Sequence, residues 1–251
     1  MNKYLKNLNR IEFLITMDCT GKCRHCSEGD HIHSGIHIDK KYAKKAVEVI
    51  SKEYSIESVM TFGGEAMLHY DCVCEILSAS RDCKIPKRQL ITNGYFSKDE
   101  RIIDDAVKML KDCGVNDILL SVDAFHQETI PLDIVKYFAI RMKEAKLPVR
   151  LNPAWLVHKS HNNPYNIRTA EILGEFLQIG IDEGCGNVVF PEGRAVENFG
   201  EYFDKDKTYS NPYAENPYDI RSVSIEPDGK LLDGNIYNQS VIEILDSYKV
   251  L

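Results

Sequence analysis

Three cysteines fall within eight residues of this 251-residue chain: Cys19, Cys23 and Cys26, in MDCTGKCRHCSEGD (17–30). The next cysteine is Cys72. Thiols at C-x₃-C-x₂-C spacing on so short a stretch point to one shared metal. A zinc ion normally takes four ligands, and His25, His31, His33 or His37 could complete such a set. A cubane iron–sulfur cluster normally takes one thiolate per iron, so three cysteines leave one iron open to another molecule. The spacing leaves both metals open, along with three thiols that carry none.

The surrounding pattern says what must hold these residues. Short apolar segments RIEFLIT (10–16), ESVMTF (57–62), RQLIT (88–92), DILLSV (117–122), PVRLN (148–152) and NVVF (187–190) read as strands. Between them, segments starting near Lys40, Cys72, Lys98, Leu132 and Thr169 carry apolar residues at helical spacing. Asp39 reads as a helix cap and Gly114 as a helix stop. Alternating strands and helices imply a parallel sheet with right-handed crossovers. The reading is one α/β unit over 1–195, an open partial barrel, because a closed eight-stranded barrel needs two more strand–helix units. The cysteines directly follow the first strand, and TFGGEAML (61–68) places Gly63, Gly64 and Glu65 at the end of the second. Two glycines allow close backbone approach, and Glu65 adds a negative charge beside it.

With the cysteine loop and the Gly-Gly-Glu turn at consecutive strand ends, the chain resembles the radical SAM enzymes over roughly 10–195. The resemblance implies a partial (β/α)₆ barrel in which Cys19, Cys23 and Cys26 hold one 4Fe–4S cluster. S-adenosylmethionine occupies the open iron. Reductive cleavage then gives methionine and a 5′-deoxyadenosyl radical that takes a hydrogen atom from the substrate. The same resemblance assigns Gly63, Gly64 and Glu65 to the amino group of the methionine part. It places Thr92 and Asn93 near the cofactor, Ser121 and Asn152 on ribose or carboxylate, and Phe190 of VVFPEGRA at the adenine. His25 stands where the family usually has a carbocyclic aromatic residue packing on the adenine. Asp123 and His126, in SVDAFHQ, are the candidate proton-moving groups; Trp155, Glu192 and Arg194 are expected near the same rim, at the C-terminal ends of the strands.

The remaining chain, 196–251, begins with a long loop (196–220) rich in Tyr, Asn and Pro. A hairpin turning at Pro227-Asp228-Gly229 and a short helix in SVIEILDSY follow. This short α+β extension resembles the twitch or SPASM-like extension of many peptide- and carbohydrate-modifying members. Asp233 stands where those have a cluster-ligating cysteine, and no cysteine follows Cys185, which argues for a single cluster. Cys72, Cys74, Cys83, Cys113 and Cys185 read as structural thiols.

The resemblance implies an enzyme, with an electron donor such as flavodoxin or ferredoxin as partner. Its substrate is a peptide or, alternatively, a small metabolite or sugar; a non-catalytic zinc or iron–sulfur module is the reading from another class. The net charge of −7 argues against a nucleic-acid partner. No apolar run reaches membrane-spanning length, and the N-terminus lacks a secretory pattern, so the expected location is cytoplasmic, with no membrane association.

Overall fold

A computed structural model describes residues 2–29, 35–204, 206, 209, 211 and 214–250. His31 and His33 lie outside the described residues. Strands β1 (Arg10–Leu14), β2 (Ser58–Phe62), β3 (Lys87–Thr92), β4 (Asp117–Leu120) and β5 (Val149–Leu151) alternate with helices α1 (Lys40–Glu53), α2 (Tyr70–Asp82), α3 (Glu100–Cys113) and α4 (Leu132–Glu144). Each strand pairs in parallel with the next.

The helices start and stop where local chemistry directs. The Asp39 side chain accepts from the backbone N–H groups of Lys41 and Tyr42, and that of Asp99 accepts from Arg101. Gly114, at φ +81°, ends α3 in a left-handed conformation that only glycine adopts without strain. Period-two alternation divides the strands. Ile11, Phe13, Val59, Leu90, Ile118 and Leu120 are buried in the main core beside the helices. The opposite, concave face carries Arg10, Glu12, Met60, Gln89 and Asp117. There Arg10 donates to Glu12 (2.5 Å) and Gln89 (3.0 Å), Gln89 donates to Asp117 (2.8 Å), and Arg150 of β5 donates to Asp117 (2.9 Å). This chain of charged and amide groups crosses four strands inside the sheet.

The sheet departs from the expected six-stranded run in two ways. NVVF forms β7 (Asn187–Val189), but its partner is an unforeseen strand, β6 (Ala154–Leu156), in a separate two-stranded sheet. Pro153 has no N–H to give a ladder, so β5 ends before it and a new strand starts after it. Helix α5 (Pro164–Gln178) separates β6 from β7. The second departure lies in the extension. Its first strand, β8 (Ser222–Ile225), pairs in parallel with β1, from Arg10↔Ser222 to Phe13↔Ile225. Strands β9 (Lys230–Leu231) and β10 (Gly234–Asn235) continue antiparallel, giving the order β10-β9-β8-β1-β2-β3-β4-β5. The expected hairpin is therefore present and is stitched into the barrel sheet.

Within the stretch expected to be loop, residues Arg194–Phe199 form helix α6. Ala195 and Phe199, four apart, bury one face against Phe125, Leu156 and Val189 in a second, smaller core. A final helix, α7 (Val241–Ser247), packs beside α1. Among the described residues, no helix is long and apolar enough to cross a membrane.

Candidate active site

At the C-terminal ends of the strands lies a cavity of about 460 Å³. Cys19, Cys23 and Cys26 line it together, with His25, Gly63, Gly64, Thr92, Asn93, Ser121, His126, Asn152 and Phe190. Eight sequence positions from five separate segments thus converge with the cysteine loop, and all three cysteines are free thiols. Glu65 and Asp123 are the two predicted site residues absent from the cavity wall. Trp155 is also absent, being 4% exposed in the main core, whereas Glu192 lines the wall.

The cysteine loop is fixed from both sides. Arg24 makes a two-pronged contact with Glu128 (2.9 and 2.6 Å) and lies over the Tyr165 and Phe199 rings. The Arg194 N–H donates to the Cys26 carbonyl (3.0 Å), tying the loop to the start of α6. On the other side, a Cβ on Gly64 would sit 2.3 Å from the Asp18 carbonyl oxygen, and one on Gly63 would sit 2.5 Å from that of Thr16. Any larger residue would push the second strand end off the segment entering Cys19. The two glycines are thus required by the backbone of the cysteine loop itself.

Glu65 lies behind this wall, fully buried. Its carboxylate accepts from the Met67 N–H (2.9 Å), the Thr92 hydroxyl (2.6 Å) and the Asn93 N–H (2.7 Å). Burial pushes its pKa up, against the lowering effect of those three donors. The carboxylate therefore bolts the end of β2 to the end of β3, rather than facing the cavity. Asn93, so placed, turns its carboxamide N–H toward Cys19 Sγ (3.6 Å) and Thr20 Oγ1 (3.3 Å). Hydrogen bonds to a ligating sulfur are one means by which proteins tune a metal centre.

Asp123 is likewise sealed in. It accepts from the N–H groups of Phe125 (3.0 Å), His126 (2.9 Å) and Ala154 (2.9 Å), and pairs with His126 Nδ1 (2.8 Å). Burial alone would raise its pKa, but His126 and these donors hold it well below the usual carboxylate range. His126 feels the converse: burial pulls its pKa down, the Asp123 charge pulls it up, and the charge prevails. Of the proposed proton-moving pair, only the imidazole reaches the cavity. The chain turns away from the strand after Leu120, which breaks the shared face expected for Ser121 and Asp123.

His25 packs against Phe125 (ring centroids 4.8 Å apart) and edge-on to His126 (4.9 Å). Burial, reinforced by His126, holds its pKa down at about 4, and its buried Nδ1 has no hydrogen-bond partner. Burial pushes the Cys19 thiol up to about 12 and raises Cys23 and Cys26 as well. The three groups are neutral without metal, and metal binding must displace their protons. The donor set fits an iron–sulfur centre: three soft, convergent sulfurs, an N–H aimed at one of them, and a ring with an unsatisfied nitrogen on the same wall. Among the described residues, Cys23, His25 and His126 also bring one ligand atom each to within 4.8 Å of one another. His37, the other described histidine in the zinc reading, instead stacks on His69 at 3.9 Å.

Sequence reasoning passed over Glu12, Met60, Phe62, Ile91 and Asn187, which also line the cavity. The alternation of Arg10 and Glu12 with apolar residues in β1 was the available signal, since a polar inner face is what a hollow barrel with a ligand would show.

Comparison with known proteins agrees with this arrangement. The model of the radical SAM superfamily matches residues 13–205. GTP 3′,8-cyclase of Clostridium perfringens (strain SM101) is 24% identical over 193 residues, covering 68% of this chain and 58% of that protein. The putative peptide biosynthesis protein YydG of Bacillus subtilis is 21% identical over 157 residues, covering 62% of this chain and 49% of its own. The chain thus spans about half the length of these curated relatives. Among solved structures, Streptococcus suis SuiB bound to precursor peptide SuiA superposes with a TM-score of 0.61 at 14% identity, covering 97% of this chain and 66% of SuiB. With its cysteine loop, its mostly parallel barrel sheet and a family match over most of its length, the chain belongs to the radical SAM superfamily.

Proposed function

We propose that this chain cleaves S-adenosylmethionine reductively at a single 4Fe–4S cluster held by Cys19, Cys23 and Cys26, and modifies a peptide by hydrogen abstraction. The observation that carries the reading is the convergence of all three cysteines with Gly63, Gly64, Ser121, Asn152 and Phe190 on one cavity. When bound, the cluster and S-adenosylmethionine supply one-electron cleavage of the sulfonium and, through the 5′-deoxyadenosyl fragment, hydrogen-atom abstraction. The protein's own residues position and shield. Asn93 donates toward the Cys19 sulfur, and His25 offers a ring face to the adenine. Ser121 and Asn152 offer a hydroxyl and a carboxamide to the polar parts of the cofactor. His126, oriented by Asp123, holds or moves a proton at its Nε2. A protein such as flavodoxin or ferredoxin serves as electron donor.

The cavity's charge supports the peptide reading of the substrate. Among the described residues, its acidic lining residues are Glu12, Glu28 and Glu192, and no Lys or Arg lines it. A triphosphate, the substrate named for the curated cyclase, would meet anions where it needs cations. Peptide chemistry, as named for YydG and for the SuiB–SuiA complex, meets no such obstacle. Anaerobic reconstitution with iron and sulfide, reduction, and chromatography for 5′-deoxyadenosine test the proposal. Turnover is expected from the native chain and none from Cys19→Ala; stoichiometric zinc with no cluster and no 5′-deoxyadenosine would defeat it.

A further inference from the structure

Among the described residues, strand β7 has a neighbour on one side only. The Asn187 N–H bonds the Pro153 carbonyl (2.8 Å), and the parallel register runs Ala154↔Asn187, Trp155↔Val188, Leu156↔Val189. In a parallel ladder, alternate residues turn both backbone groups toward the same neighbour. Asn187 and Val189 therefore face β6, and the N–H and C=O of Val188 face the opposite edge. No second strand pairs with β7 among the described residues. Val188 is 49% exposed, and it lines the cavity with Asn187 and Phe190.

Two carboxamides line the same cavity. The side chains of Asn152 and Asn187 have no hydrogen-bond partner among the described residues. The wall thus offers one backbone donor–acceptor pair and two side-chain amides, all neutral and all unpaired. Beyond Phe190 the chain runs to Arg194, whose N–H is bonded to the Cys26 carbonyl. Anything laid along this edge ends against the cysteine loop.

A free strand edge is a ready template for another extended chain. We propose that the substrate binds as an added strand on the free edge of β7, its backbone pairing with the N–H and C=O of Val188. The carboxamide of Asn187, beside the edge, takes a neighbouring backbone group of the same strand. This rests on the peptide reading above and specifies it: the substrate is an extended peptide segment gripped through its main chain. Recognition at this edge is blind to side chains, and the edge delivers one backbone position to the cysteine end of the cavity.

Val188→Pro removes the outward N–H without touching the ladder to β6, since proline is tolerated where that N–H faces away from the sheet. Val188→Thr keeps the N–H and the branched shape. Displayed random dodecapeptides are selected on the reconstituted protein with S-adenosylmethionine, and the best is synthesised with a fluorophore for anisotropy. Melting curves and cluster absorbance verify that both variants are folded and loaded. Binding is expected to weaken about tenfold in Val188→Pro, the scale of a lost hydrogen bond with its unpaired partner, and to stay within about twofold in Val188→Thr. N-methylation along the peptide should give the same loss at one amide and spare its neighbours. Equal binding to wild type and Val188→Pro would overturn the edge pairing while the peptide reading stands. Failure to enrich any peptide competing for the cavity would overturn the peptide reading and this inference with it.

Discussion

Glu65 and Asp123 carry charge at the edge of a reactive cavity without entering it, and that changes what their substitution should do. Glu65→Gln replaces an acceptor by a donor in a site where three donors converge. Chemical denaturation of the metal-free protein should show a loss of about 1–3 kcal/mol, the range for leaving a buried donor unpaired. If the carboxylate instead met the amino group of the cofactor, the variant would fold normally and lose only S-adenosylmethionine affinity. Asp123→Asn meets three N–H donors and an imidazole with a group that accepts at one oxygen only. It should cost about 3–5 kcal/mol, as breaking one half of a buried ion pair does. The residue types and positions were legible: an acidic residue after two glycines, another two past a strand. Their orientation was not, because nothing in the sequence says which backbone N–H groups already occupy a carboxylate.

Between elements, the polar chain on the concave face gives a test by pH. Burial opposes the charged form of Asp117, but Arg150, with Gln89 and Lys87, outweighs it and depresses its pKa below 3.8. A depressed acid contributes stability above its unfolded pKa, and that contribution is lost as pH falls through the folded value. Asp117→Asn should therefore be less stable than wild type by about 1–3 kcal/mol near neutrality. The gap should narrow in acid below pH 3.8; a gap independent of pH would assign the effect to packing. The pairing of β8 with β1 gives a second test. Removing 222–251 strips β1 of one neighbour and exposes a row of unpaired backbone groups, a known route to association. The shortened chain should elute as soluble aggregate or precipitate, and a well-behaved monomer would show that the extension is dispensable. Strand and helix positions were readable from periodicity, including Asp39 and Gly114. What hid β6 was its length, three residues after a proline; what hid the β8–β1 pairing was distance along the chain, since a period-two pattern names a strand and never its neighbour.

For the molecule as a whole, the proposal of one cluster predicts iron near four per chain. Cys72, Cys74 and Cys113 are buried in the helical layer, so changing them with Cys83 and Cys185 should lower stability and leave the cluster spectrum unchanged. Iron near eight per chain, or a spectrum altered by those changes, would restore a second centre. The fold class was legible because helix and strand periods alternate over most of the length; the cavity was legible only as a set of strand ends. One feature of that architecture governs how the protein is made. β1 is held between β2 and β8, strands that leave the ribosome some 45 and 210 residues after it, and the Cys26 carbonyl waits for the N–H of Arg194. The three cysteines are synthesised well before Arg194 and β8, the segments that complete their loop and flank their strand. Until then they are unprotected thiols on an unfinished strand, so metal delivery must follow the synthesis of β8, and an oxidant or stray zinc ion present before that has access to the residues that matter most.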